Sequence, residues 1–375
     1  MAGLTVMHLV IDAETGGAQT MIRNLAAYRK AADRITLVVI KGPGALSAEL
    51  ERACDKVYYL GFDSRSFNLP GMLSRLQSLV NATSPEVLHT HLLHCDLLGA
   101  FIRQKGLTKI STVHTTGMSR ADPLRSRIIG KFVALFTRRF DAVVACSDGA
   151  REYMSHTGYS RDNAHTILNG VPIPTISASL NQKNLVNLAR WHPMKDHENL
   201  FEAFRRSGLR QEGWKLHCAG YQVENSNDDL RNIIESKGLA DSIVLHGSIQ
   251  DVNGLLKNAR ALIISSSYGE ALPMAALESL ALGLPVISTD VGAGRSLTLA
   301  TEMLVPPENS SALAEAMNWI CEATPDRLKE LSLSAKSKVE ADFSIQNVVA
   351  KYEELYLSCI ANSPRRTLEK GDLQS

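Results

Sequence analysis

No apolar run in this 375-residue chain approaches the ~20 residues that a membrane-spanning helix requires. The run Val6 to Ile11 is short, and Asp12 and Glu14 follow at once, so no signal peptide is expected. Cysteine spacing is equally uninformative of a framework: Cys54, Cys95, Cys146, Cys218, Cys321 and Cys359 are scattered, with no Cys-x-x-Cys pair. That argues against a zinc site or disulfide scaffold, suits a reducing cytosol, and makes the cysteines candidate core residues. No internal repeat and no low-complexity segment stands out.

What is present is the composition of a globular protein, with 45% hydrophobic and 21% charged residues. The length exceeds what one ordinary core accommodates, so two domains are expected. The formal charge of +1 conceals an asymmetry. Up to Ile176 there are 20 Lys and Arg against 14 Asp and Glu; the remainder has 20 against 25. Chance distribution over two solvated surfaces is one reading. The other is a first half that faces something anionic, such as a membrane surface or a phosphorylated acceptor.

Short apolar runs alternate with helical patterns in both halves, the signature of βαβ units and parallel sheets. In the first half the expected strands are Val6–Ile11, Ile35–Ile40, Val57–Leu60, Val87–Thr90, Ile110–Val113 and Asp141–Ala145, the last clear one. Helices are expected over Ala18–Tyr28, Leu46–Cys54, Leu69–Asn81 and Asp96–Lys105. Turn residues crowd Asn169 to Pro174, and Thr175 to Asn184 is polar and aperiodic, which marks a junction. The alternation restarts at Leu185–Ala189 and continues through Lys215–Ala219, Ile243–His246, Ala261–Ile264 and Pro285–Ser288. Two doubly wound sheets in tandem follow, with domains at 1–176 and 181–344. An amphipathic helix at 345–360 and a frayed tail at 361–375 complete the chain. Such sheets bind ligands beyond the carboxyl ends of their strands, so the loops there are where chemistry is sought.

Four loops answer that description. Ser265-Ser-Ser-Tyr-Gly-Glu270 follows the strand Ala261–Ile264, and Pro273 stands near the first turn of the helix beyond it. Amides around Ala271 and Leu272 would open that helix toward phosphate, while Glu270 and Glu278 could accept hydrogen bonds from sugar or ribose hydroxyls. Arg190 and Lys195 share a post-strand loop and can converge on one diphosphate. Gly16-Gly17 lets backbone approach a ligand closely; the loop is neither Gly-x-Gly-x-x-Gly nor a P-loop, which counts against an oxidoreductase or an NTPase. His114 ends a strand of the first half. Besides these, His89, His91 and His94 form a cluster without a carboxylate triad, read as acceptor-side or core residues. Arg125 to Arg139 is basic and amphipathic, either a helix packed on its sheet or one resting on anionic lipid.

The run Glu270-Ala-Leu-Pro-Met-Ala-Ala-Leu-Glu278, followed by Gly283 to Gly292, resembles the Glu-x7-Glu region of retaining glycosyltransferase family 4. Leu188 to His197 resembles that family's Gly-Arg-Leu-x3-Lys-Gly loop, departing at Ala189 and at Asp196, which follows the lysine where the family has glycine. The resemblance spans roughly Val6 to Tyr356. It implies a GT-B fold, two Rossmann-like domains facing a central cleft, with donor bound by the second and acceptor by the first. It implies donor-sugar contact for Glu270 and His114, ribose contact for Glu278, and diphosphate contact for Arg190 and Lys195. Gly16 and Gly17 would meet the phosphates, as would the segment Ala271 to Pro273. Ser147 and Asn169-Gly170-Val171 would be scaffold, and the final helix would return to the first domain. No metal or other cofactor is expected. The implied reaction moves a sugar, with retention, from a nucleotide-diphosphate sugar (a UDP-sugar favoured) to a glycan or lipid-linked acceptor. The setting expected is cell-surface polysaccharide or lipopolysaccharide synthesis, in the cytoplasm or at the inner face of the membrane. A nucleotide-sugar epimerase and a non-catalytic donor-binding relative are the alternatives.

Overall fold

The computed structural model describes residues 3–62, 68–117 and 124–362. Most of the expected tail, from residue 363, lies outside them. Two compact units emerge. Of the described residues, those up to Thr115, 124–170 and 345–362 form the first; 116–117 and Val171–Ser344 form the second. The division therefore falls after Gly170 rather than after 176. The reason is a long-range pairing that local composition does not reveal: Val171 donates its amide to the Phe343 carbonyl (2.9 Å) and bridges to Ser344.

The first unit holds seven parallel strands: β1 (Thr5–Val10), β2 (Arg34–Val39), β3 (Lys56–Tyr59), β4 (Val87–His91), β5 (Thr108–Val113), β6 (Ala142–Ala145) and β7 (Ala164–Thr166). Their order is β3-β2-β1-β4-β5-β6-β7, so the sheet's direction of winding reverses between β1 and β4. The three-residue edge strand β7 has no counterpart in the sequence reading, being too short to show a period. Apolar residues of alternate parity serve two cores. Val6 and Val10 of β1 join one, with the helix Gly17–Ala27; Met7 and Leu9 join the other, with the helix Leu69–Thr83. The final helix, Ile345–Asn362, inserts Val348, Val349, Tyr352 and Tyr356 into the first of these cores. Gly170 makes that approach possible, because a Cβ there would sit 2.8 Å from Val348 Cγ2. The helix expected at Asp96–Lys105 runs instead over Leu93–Phe101, starting straight after β4.

Six parallel strands form the second sheet: β8 (Asn184–Leu188), β9 (Lys215–Ala219), β10 (Ile243–Leu245), β11 (Ala261–Ile264), β12 (Val286–Thr289) and the two-residue β13 (Leu304–Val305). Their order is β10-β9-β8-β11-β12-β13, and the winding reverses between β8 and β11. Helices Ser310–Glu322 and Pro325–Lys338, not anticipated above, complete this unit. Among the described residues no helix is long and apolar enough to cross a membrane.

In the first unit one carboxylate is buried with no cation beside it among the described residues. Asp96 is 1% exposed, and its Oδ1 accepts from the hydroxyls of Thr90 (2.5 Å) and Ser111 (2.8 Å). Burial raises its pKa from 3.8 to about 7, the two hydroxyls pulling the other way. In this window the folded chain holds a proton that the unfolded chain has lost. Stability from this group is therefore full below 3.8 and declines as pH rises to about 7, by up to about 4 kcal/mol. Urea unfolding should show Asp96→Asn gaining on the wild type between pH 4 and pH 8; a difference that ignores pH would contradict the assignment.

Candidate functional site

Open parallel sheets bind ligands where the winding reverses, because the loops on either side diverge and leave a crevice. In the second sheet that place lies beyond β8 and β11. After β8 the chain exposes Arg190 and makes a short turn, Pro193–Lys195. Asp196 follows at φ +47° and accepts the Asn199 amide at 3.2 Å, capping the helix His197–Ser207. That left-handed conformation explains the departure from glycine here: aspartate tolerates it and adds a helix cap.

Serines after β11 tie the two loops together. Ser265 Oγ donates to the Lys195 carbonyl (2.7 Å), and the Ser267 amide donates to the Met194 carbonyl (2.9 Å). Glu270 is 9% exposed, and its Oε2 accepts from both Lys195 Nζ and Ser266 Oγ, the latter at 2.7 Å. Burial pushes its pKa up, but the Lys195 charge and hydrogen bond, the Ser266 hydroxyl and the Arg190 charge outweigh this and hold it below the ordinary carboxylate value. The glycine turn after β12 is part of the same construction. Gly292 has φ +56°, and a Cβ there would lie 1.6 Å from the Glu270 carbonyl oxygen.

The helix beyond Glu270 begins close to where the sequence places it, but the residues that open it differ. Pro273 is its N-cap and Met274–Ala281 its body, while Ala271 and Leu272 are 4% and 5% exposed and sit beneath it. Ala276 and Leu277 donate their amides to the Pro273 carbonyl (3.1 and 3.4 Å), so the helix-opening amides are those of Met274 and Ala275, not those of Ala271 and Leu272. Ala275 and Glu278 are both half-buried and one turn apart, so they share a side of the helix.

In the first unit, Gly16 caps the helix Gly17–Ala27 in an extended conformation (φ −167°). A Cβ on it would lie 2.6 Å from Gln19 Oε1, and Gln19 Nε2 in turn donates to Asp12 Oδ1 at 2.7 Å, at the end of β1. The glycine pair thus starts a helix at that sheet's own reversal point. His114 follows β5, half-buried, with Nε2 at 3.1 Å from His91 Nδ1. His89 and His91 are buried, but their companion is His8 of β1 rather than His94; His8 Nδ1 lies 3.0 Å from His91 Nε2. Burial drives all these imidazoles toward the neutral form, His8 and His114 to about 4. Ser147 caps the helix Asp148–His156, its hydroxyl accepting the Ala150 amide at 3.0 Å.

The structure therefore brings Lys195 and Glu270 into contact, with Arg190 in electrostatic reach and Pro273 and Glu278 on the next helix. Gly16, Gly17 and His114 belong to the other unit. Ser266, Gly292 and His8 were missed. The serine run after a strand was a usable signal for the first; His8 is hidden inside an apolar run.

Comparison with known proteins adds a family to this geometry. The family model "Glycosyltransferase Family 4" matches residues 15–173, and "Glycosyl transferases group 1" matches residues 174–337. An exopolysaccharide phosphotransferase of Streptomyces coelicolor is 28% identical over 65% of this chain, which spans 26% of that relative's length. A GDP-mannose:cellobiosyl-diphosphopolyprenol alpha-mannosyltransferase of Xanthomonas campestris is 24% identical over 96% of this chain and 98% of its own length. The structure resembles HepE of Anabaena in complex with UDP and glucose (TM-score 0.80, 16% identity, 95% of this chain and 100% of that one). It also resembles sucrose-phosphate synthase of Thermosynechococcus elongatus (TM-score 0.79, 17% identity, 96% and 100%). At such identities these two likenesses speak for the fold.

The buried pair yields a test free of any ligand. Lys195→Met leaves Glu270 without its cation and should destabilise the chain by about 3 kcal/mol. Adding Glu270→Gln should restore most of the loss. Urea denaturation of the two variants decides it, and additive losses would show that the pair is not coupled.

Proposed function

The chain belongs to the group 1, family 4 glycosyltransferases of GT-B fold, and we propose that it transfers a sugar, with retention, from a nucleotide-diphosphate sugar to a glycan or lipid-linked acceptor. The observation that carries this reading is the Lys195–Glu270 pair at the reversal point of the second sheet. A diphosphate is repelled by a bare carboxylate. Here Lys195 offsets the Glu270 charge, and exposed Arg190 together with the helix-opening amides of Met274 and Ala275 favours an anion. Glu278, one turn further, offers an acceptor for ribose hydroxyls. Glu270 would hold hydroxyls of the donor sugar; within the first unit, His114 is proposed for a sugar contact and Gly16-Gly17 for phosphate. Arg190 and Lys195 then stabilise charge building on the leaving diphosphate. Glu270 Oε2 is engaged by two donors, which makes this carboxylate a poor covalent nucleophile; departure and attack on one face of the sugar is the matching mechanism. Ala271, Leu272 and Pro273 contribute by shaping the loop.

A UDP-sugar is the first donor to test, since HepE holds UDP; the GDP-mannose in the name of the Xanthomonas relative makes GDP-sugars the second. Polysaccharide synthesis is the setting we favour, from the names of the relatives. No metal or other cofactor enters the scheme. Saturating donor should raise the melting temperature of the wild type by several degrees, through a stabilisation of about 3 kcal/mol at a hundredfold excess over Kd. Arg190→Ala should lose most of that rise. NMR of the glycoside formed should show the donor's anomeric configuration; an inverted product would end this reading.

The acceptor side has its own surface signal. The helix Leu124–Phe136 exposes Ile128 (46%), Phe132 (54%) and Leu135 (65%), at i, i+4 and i+7. Arg138 and Arg139 are exposed at its end, the Arg139 guanidinium 4.8 Å from the Phe101 ring. We read this apolar stripe with a basic end as a contact with an anionic bilayer, suited to a lipid-linked acceptor. Sedimentation with vesicles containing anionic lipid should capture the wild type and release Phe132→Ser/Leu135→Ser at unchanged melting temperature. Equal capture of both would remove the proposal.

A further inference from the structure

Side chains of one parity on β1, β4 and β5 point to the same face of the first sheet. On that face stand His8, His89, His91, Thr112 and His114, under the tyrosines of the final helix. Three of the histidines form a chain of hydrogen bonds. His8 Nδ1 meets His91 Nε2 at 3.0 Å, and His91 Nδ1 meets His114 Nε2 at 3.1 Å. His89 is outside it, with Nδ1 on the Tyr356 hydroxyl and Nε2 on the Thr112 hydroxyl, each at 2.7 Å. A neutral imidazole has one N–H and one lone pair, so both links must run in the same sense. Whatever sets the ring at one end sets the ring at the other.

The buried end supplies a bias. His8 lines a cavity of about 20 Å³ together with Asp33, Tyr352, Glu353 and Tyr356. Glu353 Oε2 accepts from Lys30 Nζ at 2.7 Å, while its Oε1 is buried with no hydrogen-bond partner among the described residues. The cavity has room for about one water. A water donating to this carboxylate becomes a better acceptor for an imidazole N–H.

We propose that His8 and His91 are positioning residues that hold His114 as its Nε2–H tautomer, with the sense of the chain set by Glu353. The outer nitrogen of His114, Nδ1, is then an acceptor only, so it takes a hydrogen bond from a ligand hydroxyl and gives none. The consequence for donor recognition rests on the reading of His114 as a sugar-contacting residue; the tautomer itself does not. A zinc ion is the competing occupant, since His8, His89 and His91 offer nitrogens within 4.8 Å of one another. Binding it would break the His8–His91 link and take one nitrogen of His89 from its hydroxyl partner.

Long-range proton–nitrogen spectra of the free, histidine-labelled protein test this directly, with His114 assigned by the signal missing in His114→Gln. The wild type should show a protonated Nε2 and a bare Nδ1 on His114. Glu353→Gln provides the second measurement. Lys30 keeps the amide oxygen, the amide nitrogen takes the place of Oε1, and the buried end turns from acceptor to donor. His114 should then shift to Nδ1–H, although the substitution is made at the far end of the chain. A wild-type His114 protonated on Nδ1, a folded Glu353→Gln with unchanged His114 signals, or stoichiometric zinc on the cluster would each overturn the relay. Donor turnover is assayed separately, so a chain that turns over no nucleotide sugar leaves the relay standing.

Discussion

A carboxylate that is to stay ionised out of water needs a cation, and at the reversal point of the second sheet Glu270 has Lys195. The pair spans two loops that are far apart in the chain, and its geometry depends on what fixes them. Serines 265 and 267 bind the backbone of the lysine loop, and Gly292 permits the close approach of the next strand's turn. Because the carboxylate charge is offset inside the protein, the field outside is left to Arg190 and to the helix start at Met274. That is the electrostatic condition for holding a diphosphate beside an acidic residue.

The first sheet handles buried polarity differently. Its histidines are neutral, driven there by burial, and they satisfy one another, Thr112 and the tyrosines of the final helix. Such a network stays directional without carrying charge. The final helix belongs functionally to this sheet: Tyr352, Glu353 and Tyr356 surround the buried end of the histidine chain.

The alternation of strands and helices was legible because buried parallel strands read as continuous apolar runs. Lys215–Ala219 and Ala261–Ile264 fall where the pattern puts them. β7 and β13, with three and two residues, carry no period to read. Lys195 and Glu270 were visible as separate motif residues, but their contact depends on β8 lying beside β11, which no local pattern contains. His8 was invisible for a like reason. It sits in an apolar run, and only the pairing of β1 with β4 sets it against His91. The amides that open the helix after Glu270 were placed too early, at Ala271 and Leu272, because Pro273 fits both as a first-turn residue and as a cap.

Hydrogen exchange with and without donor tests the central claim most directly, because it locates the ligand without requiring turnover. Addition of UDP- or GDP-sugar should slow exchange over residues 190–196 and 266–278, the two loops and the helix start that flank β8 and β11. Protection confined to other segments, with these two unchanged at saturating donor, would contradict it.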